Sequence, residues 1–351
     1  MPSLAEITIG DYLHNRLMPV EGTIPHLAGI EMYGASLPAG RAGGDLFEYI
    51  NFQQRYDLDA RIRRALLLSQ EYLQGPQTDD FLAWLKLRPT FRPDIESAYR
   101  QTRSLEHEHV AESLRDLYDT GGVLLVDAQG HGLISAKIAS TVHDTFHALM
   151  LPELDRYGKT TPELFELINL RLAHSLTARN ALGDDVNGFG REIATMLYGE
   201  VRPSGHFRFV NFGHPPPLIF SAHEGMFHEV ERERMVQFLP LGLEIPEDHP
   251  DRMRYSSLHF RQREAAVSDV ADIALTNPGD LLFLYTDGTY DGSDEEERHA
   301  LEALIRDTCR RPAKEICQEV LGHAVARDQT LRARGDDDMI DDKTVLVIKR
   351  N

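Results

Sequence analysis

Four aspartates in this chain stand where side-chain chemistry needs them, each bordering a predicted strand in a turn with glycine or a second acid. Asp45 closes PAGRAGGD, Asp127 ends VLLVD before AQGHG, Asp287 sits in YTDG, and Asp341 or Asp342 ends GDDDMIDD. Such turns hold a carboxylate at the tip of a strand. Taken singly they have plain structural readings: a glycine hairpin at Asp45, a strand–turn–helix with a solvated acid at Asp127, a solvated charge run before an edge strand at Asp341 and Asp342. Brought together, four carboxylates repel and raise one another's pKa unless a cation neutralises them. Mg²⁺ or Mn²⁺ would make the same cluster an oxygen-rich cage for two ions roughly 3.5–4 Å apart, a pair that activates water and clamps a phosphoryl oxygen.

Convergence requires strands whose ends meet although the chain separates them. Ile30–Leu37 alternates as IEMYGASL, and Leu46–Ile50 follows the glycine turn as LFEYI, so both read as strands. Val123–Val126, Asp280–Tyr285 and Lys343–Lys349 read as buried strands next to the acidic turns. Ile193–Val201 and Phe207–Phe212 follow one another around PSG with no helix between them, which favours antiparallel pairing over a doubly wound parallel sheet. Helical spacing marks Ser3–Leu17, His131–Met150, Pro162–Ala178, Glu295–Arg306 and Ala313–Arg327.

Residues 51–120 break the strand alternation. Apolar stripes at Ile62, Leu66 and Leu73, then Phe81, Leu82 and Leu85, then Val110, Leu114 and Leu117 predict a helical insertion far longer than an ordinary hairpin loop. Trp84, the chain's one tryptophan, reads first as filler of a small core and second as an anchor for a partner.

Composition narrows the chemistry. The 351 residues are 42% hydrophobic and 26% charged, which suits a globular protein with a sizeable core. A net charge of −19 argues against a grip on phosphate backbones, so no nucleic-acid partner is expected. Cys309 and Cys317 form neither a metal knuckle nor a disulfide framework, as in a reducing compartment. No run approaches the roughly 18 apolar residues of a membrane helix and no secretory signal opens the chain, so a cytoplasmic protein away from membranes is expected. Phosphate-binding glycine motifs and a Ser-His-Asp pattern are missing. His131 and His214, each beside glycine, read as turn or surface imidazoles.

In order, PAGRAGGD, VDAQGHG, ATMLYGEV with FRFVNFGHPPPLIF, LPLGL, GDLLFLYTDG and DDKTVLVIK resemble the sporulation-protein-E and RsbU-type branch of the bacterial PPM (protein phosphatase 2C-like) phosphatases, which are metal-dependent protein serine/threonine phosphatases. The resemblance covers residues 27–50 and 121–351. It implies an α+β fold, an αββα sandwich of two antiparallel sheets flanked by helices. The chain then reads as a single domain over 1–351, to which the apolar spacing adds an N-terminal helix over 1–20 and the insertion 51–120. It implies Asp45, Asp127, Asp287 and Asp341 as acidic ligands of two Mn²⁺ or Mg²⁺ ions. Asp127 would bridge the two ions, and Asp45, Asp127 and Asp287 would be the catalytic acids. Ala128 would lend a backbone carbonyl where the family usually has glycine. The implied reaction is attack of a metal-activated water on phosphoserine or phosphothreonine in a regulatory protein, such as an anti-sigma-factor antagonist, without a phosphoenzyme. The extra acids of GDDDMIDD leave Asp341 and Asp342 both open as the last ligand.

The insertion is larger than the short connection usual in that branch, and nothing before residue 20 is long enough for the sensor domain often fused upstream. Control by a separate regulatory protein docking on 51–120 or on the N-terminal helix is therefore expected, and a homodimer is left open. Two other readings stand beside the phosphatase. A non-catalytic scaffold of the same fold would bind a partner through the insertion, but has no chemical reason to keep all four acids. GGDLF at 43–47 resembles the GGDEF turn of nucleotide (diguanylate) cyclases, with Leu46 in place of an acid.

Overall fold

The computed structural model describes residues 19, 23–40, 43–74, 80–130, 132–181, 193–230, 237–243, 271–290, 295–336 and 340–351. The expected helix over Ser3–Leu17 lies outside them, as do His131, most of the expected loop before β4 and part of the last acidic turn. The strands are β1 (Ile30–Leu37), β2 (Asp45–Asn51), β3 (Gly121–Ala128), β4 (Ala194–Val201), β5 (His206–Phe212), β6 (Leu218–Ser221), β7 (Met226–Glu229), β8 (Gln237–Phe238), β9 (Ala271–Ala274), β10 (Leu281–Tyr285) and β11 (Lys343–Arg350). The helices are α1 (Phe52–Tyr56), α2 (Leu58–Gln74), α3 (Asp80–Lys86), α4 (Pro93–Asp116), α5 (Leu133–Tyr157), α6 (Pro162–Ala181), α7 (Glu295–Thr308) and α8 (Ala313–Arg334).

The chain divides into two compact units, the first holding the described residues up to Asn51 with Thr120–Phe146 and Phe165–Asn351. This unit is an α+β sandwich. One sheet runs β1-β11-β10-β6-β7, the other β2-β3-β4-β5-β8 with β9 also on β5. Every strand pairing is antiparallel except that of the two-residue β8 with β5.

Side chains alternate across each strand, so one set from each sheet faces the other sheet. Met32, Leu282, Leu284, Leu346 and Ile348 pack in one core with Phe47, Val123, Leu125, Leu197, Phe207 and Phe209. The opposite face of the first sheet buries Phe283, Tyr285, Val345 and Val347 with Leu301 and Ile305 of α7 and Ile316 and Val320 of α8. On the outer face of the second sheet, Tyr198 meets Phe146 of α5 and Phe165 of α6. Each of these large apolar side chains contributes about 1.5–3 kcal/mol on burial.

Two-sided burial explains why β3, β10 and β11 read as unbroken apolar runs. It also corrects the edge-strand reading of β11, which lies between β1 and β10 and is buried along most of its length. Helix α8 runs past the expected end at Arg327 to Gly335, whose φ of 84° closes it with N–H bonds from Gly335 and Asp336 back to Arg332 and Leu331. The stretch Asp328–Arg334 carries too little apolar spacing to mark it as helix.

The second unit holds Phe52–Asp119 with His147–Leu164. Ile62 and Ala65 of α2 and Val110, Ala111 and Leu114 of α4 are buried there, and the Ser69 and Ser104 hydroxyls meet at 2.8 Å. Trp84 is no core filler: it is 48% exposed, beside Phe81 at 51% and Leu87 at 83%. Its ring stacks on Phe81, and the Arg88 guanidinium lies 4.0 Å from its centre. Only Leu82 of this short helix turns inward, which leaves the bulky tryptophan on the outside.

Candidate metal centre

At one end of the sandwich the inward-facing rows change from apolar to polar. Following Phe47 and Tyr49 along β2 the next inward residue is Asp45; following Val123 and Leu125 along β3 it is Asp127; beyond Leu197 on β4 it is Thr195. Asp45 pairs in register with Asp127, and Asp127 with Thr195, so three polar side chains form one row on one face. The facing sheet ends its inward rows in Thr286, just past β10, and Thr344 of β11.

Those two threonines hold Asp45, which is only 4% exposed. Both hydroxyls donate to its Oδ2 at 2.7 Å. Thr286 Oγ1 in turn accepts the Thr344 backbone N–H at 2.9 Å, and the Thr344 hydroxyl lies 2.8 Å from that of Ser36. One carboxylate is thus oriented by both motifs that carry the other acids, YTDG and DDKT.

The electrostatics are those of crowded acids. Burial, and next the charge of Asp127, hold Asp45 well above the usual carboxylate range, against the pull of the two threonine bonds. Asp127 is pushed up to about 7, first by burial and then by the charges of Asp287, Asp341 and Asp342. Among the described residues the charges that act on Asp127 are negative, and the donors are hard carboxylate oxygens. This set fits a divalent cation such as Mg²⁺ or Mn²⁺, whose charge would reverse the upward shifts.

The last turn divides its labour. Asp342 is 2% exposed and accepts the backbone N–H groups of Ala39 and Gly44, each at 2.6 Å. Both its oxygens are committed to the turn that leads to Asp45, and a Cβ at Gly43 would fall 2.8 Å from its carboxyl carbon. Asp341 is partly exposed, and its Oδ1 accepts the Asp342 N–H at 2.8 Å. Of the two, Asp341 has the freer carboxylate. Asp287 is exposed at the turn after β10, and Ala128 is buried at the end of β3 with its N–H on the Gly44 carbonyl.

Sequence reasoning missed three participants. Thr286 and Thr344 lie 241 and 299 residues from Asp45, and nothing in their own motifs marks them as its donors. His214 is a correction, since it is buried at 1% exposure and is no surface imidazole. Its Nδ1 lies 2.8 Å from the Thr195 hydroxyl, and Asn211 brackets its backbone through both amide atoms. Burial drives its pKa down to about 3, against a pull from the Tyr285 backbone. At neutral pH it is therefore an uncharged prop beside Thr195, which ends the row that runs through Asp127.

Among the described residues no helix is long and apolar enough to cross a membrane. No curated protein matches the chain in sequence. The family model for stage II sporulation protein E (SpoIIE) matches residues 119–351. Among solved structures, the chain is similar to the RsbU and RsbW domains of Rv1364c from Mycobacterium tuberculosis, at 19% identity and a TM-score of 0.50, over 93% of this chain and 62% of that one. It is also similar to the SiaA-PP2C domain of Pseudomonas aeruginosa, at 13% identity and a TM-score of 0.51, over 100% of both chains. The chain thus spans about six-tenths of the mycobacterial chain it matches, and at these identities the two likenesses speak for the fold. With a family match over well more than half of its length, the chain belongs to the SpoIIE family, the SpoIIE/RsbU-type branch of the PPM (protein phosphatase 2C-like) phosphatases.

Proposed function

We propose that this chain is a Mn²⁺- or Mg²⁺-dependent protein serine/threonine phosphatase. The observation that carries the reading is the register of Asp45 with Asp127 at the polar end of a phosphatase-type sandwich, where Thr286 and Thr344 hold the buried Asp45 carboxylate. Asp45, Asp127, Asp287 and Asp341 would hold two such ions, with the Ala128 carbonyl as a further backbone donor. When bound, such ions lower the pKa of a water and stabilise charge on a transferring phosphoryl group.

The chain's own residues supply orientation. Thr286 and Thr344 fix the Asp45 carboxylate, and Asp342 fixes the turn that presents it. His214, neutral at pH 7, supports Thr195 and is no proton donor. The substrate is a phosphoserine or phosphothreonine of a regulatory protein, an anti-sigma-factor antagonist by the resemblance of the motifs. A second protein docks on 51–120, where Phe81, Trp84 and Leu87 are exposed. Sedimentation with and without Trp84→Ala separates that partner from a second copy of this chain.

Phosphate release from a phosphoserine peptide, measured with Mn²⁺ and with EDTA, tests the activity. Release that needs Mn²⁺ is expected. No release from peptide or phosphoprotein under either condition would favour the scaffold reading, in which the exposed Trp84 surface alone does the binding.

A further inference from the structure

Two adjacent residues of α8 reach the two loops that carry Asp287 and Asp341. Arg327 donates through Nη2 to the carbonyl of Gly288, one residue past Asp287, and through Nη1 to Glu297 at 2.6 Å. Asp328 Oδ2 lies 2.5 Å from the Lys343 ammonium, and that ammonium donates at 2.7 Å to the backbone carbonyl of Asp341. The Lys343 and Asp328 side chains are 3% and 8% exposed. The loops also press on each other: a Cβ at Gly288 would fall 2.0 Å from the Asp342 carbonyl oxygen. One stretch of helix is therefore tied to the backbone of both acidic turns at a point where they touch.

Stability does not account for this arrangement. A buried ion pair gains little over packed apolar side chains unless all of its polar atoms are satisfied. Here Asp328 Oδ1 and Arg327 Nε are buried with no hydrogen-bond partner among the described residues. Nor does the cluster act as a counter-charge for the acidic turns, because each cation has its own carboxylate, Glu297 for Arg327 and Asp328 for Lys343. What these groups fix is position. The carbonyls they hold belong to Asp341 itself and to the neighbour of Asp287.

We infer that Arg327, Asp328 and Lys343 are positioning residues for the Asp287 and Asp341 carboxylates, so that the C-terminal part of α8 sets the spacing of two metal-holding loops. The inference rests on the phosphatase reading for what those carboxylates hold. Groups that orient metal ligands typically change metal affinity about 10–100-fold when removed. The apolar replacement Asp328→Leu with Lys343→Met separates this role from a structural one.

Calorimetric titration of the metal-stripped protein with MnCl₂, paired with thermal melting of the same samples, is the test. The double variant should melt at or above the wild-type temperature and yet bind Mn²⁺ at least about tenfold more weakly. Arg327→Met should weaken binding similarly, and Arg327→Lys should recover part of it, since a lysine keeps the charge without the two-pronged reach. Wild-type affinity in Arg327→Met and in the folded double variant overturns the inference while leaving the metal reading intact. Should the double variant not fold, Arg327→Met decides alone. Absence of Mn²⁺ binding in the wild type overturns the metal reading, and this inference with it.

Discussion

The Asp342 carboxylate accepts the backbone N–H of Gly44 at 2.6 Å, although the two residues lie 298 positions apart. With its other oxygen on Ala39, this acid is a fastener for the turn before Asp45, and Asp341 is left as the outward carboxylate. The two aspartates should therefore fail differently. Asp342→Ala leaves two N–H groups without their acceptor and should cost about 2–4 kcal/mol in urea unfolding. Asp341→Asn should keep wild-type stability in the metal-free protein and lose Mn²⁺ affinity. Equal stability losses in both variants would contradict the division.

Crowding of the acids predicts an unusual pH dependence. In the folded metal-free protein Asp127 holds its proton up to about 7, whereas an unfolded aspartate loses it near pH 4. Between these values the folded state binds more protons than the unfolded state. Stability is therefore fully present below about pH 4 and is lost as pH rises towards 7, by a few kcal/mol at most. The urea midpoint of EDTA-treated protein should be lower at pH 8 than at pH 5.5, and Asp127→Asn should flatten the difference. Saturating Mn²⁺ should raise the midpoint most at pH 8, where the carboxylates are ionised and ready to bind. A wild-type midpoint that rises with pH in EDTA would count against the crowded site.

The strand ends that carry Asp45, Asp127 and Asp287 are legible in the sequence, and the reason is local. Asp45 opens an apolar strand after paired glycines, and Asp127 and Asp287 close apolar runs that lead into glycine turns, so each strand end is written in nearby residues. What holds those acids is not. Thr286 and Thr344 act on Asp45 across a sandwich, and the Asp328–Lys343–Asp341 chain of contacts joins a helix to a loop. Arg327 marks the expected end of α8 because apolar spacing fades there, yet the helix continues for two more turns, and Arg327 and Asp328 are the residues that reach the acidic loops. Trp84 was ambiguous for a related reason: three apolar residues on a short helix do not say which of them the neighbouring helices will cover, and only Leu82 is covered. The parallel β8 and the strand β9 were too short to carry a period of their own.

The two threonines that orient Asp45 give a graded prediction. Thr286→Val and Thr344→Val preserve shape and remove one donor each from Asp45 Oδ2. Each should weaken Mn²⁺ binding about tenfold, the double variant more, and Thr→Ser at either position should recover most of the loss. Titration calorimetry on the three valine variants checks the order. Unchanged affinity in the double variant would show that Asp45 needs neither hydroxyl.

The central claim is that Asp127 joins the acidic turns into one metal-dependent phosphatase site. It is tested most directly by phosphate release from a phosphoserine peptide in Mn²⁺, comparing wild type with Asp127→Asn. The account predicts Mn²⁺-dependent release by the wild type, release no greater than the EDTA control in the variant, and a variant at least as stable as wild type when metal-free, because a repelled charge has been removed. Full activity in a folded Asp127→Asn protein would contradict it.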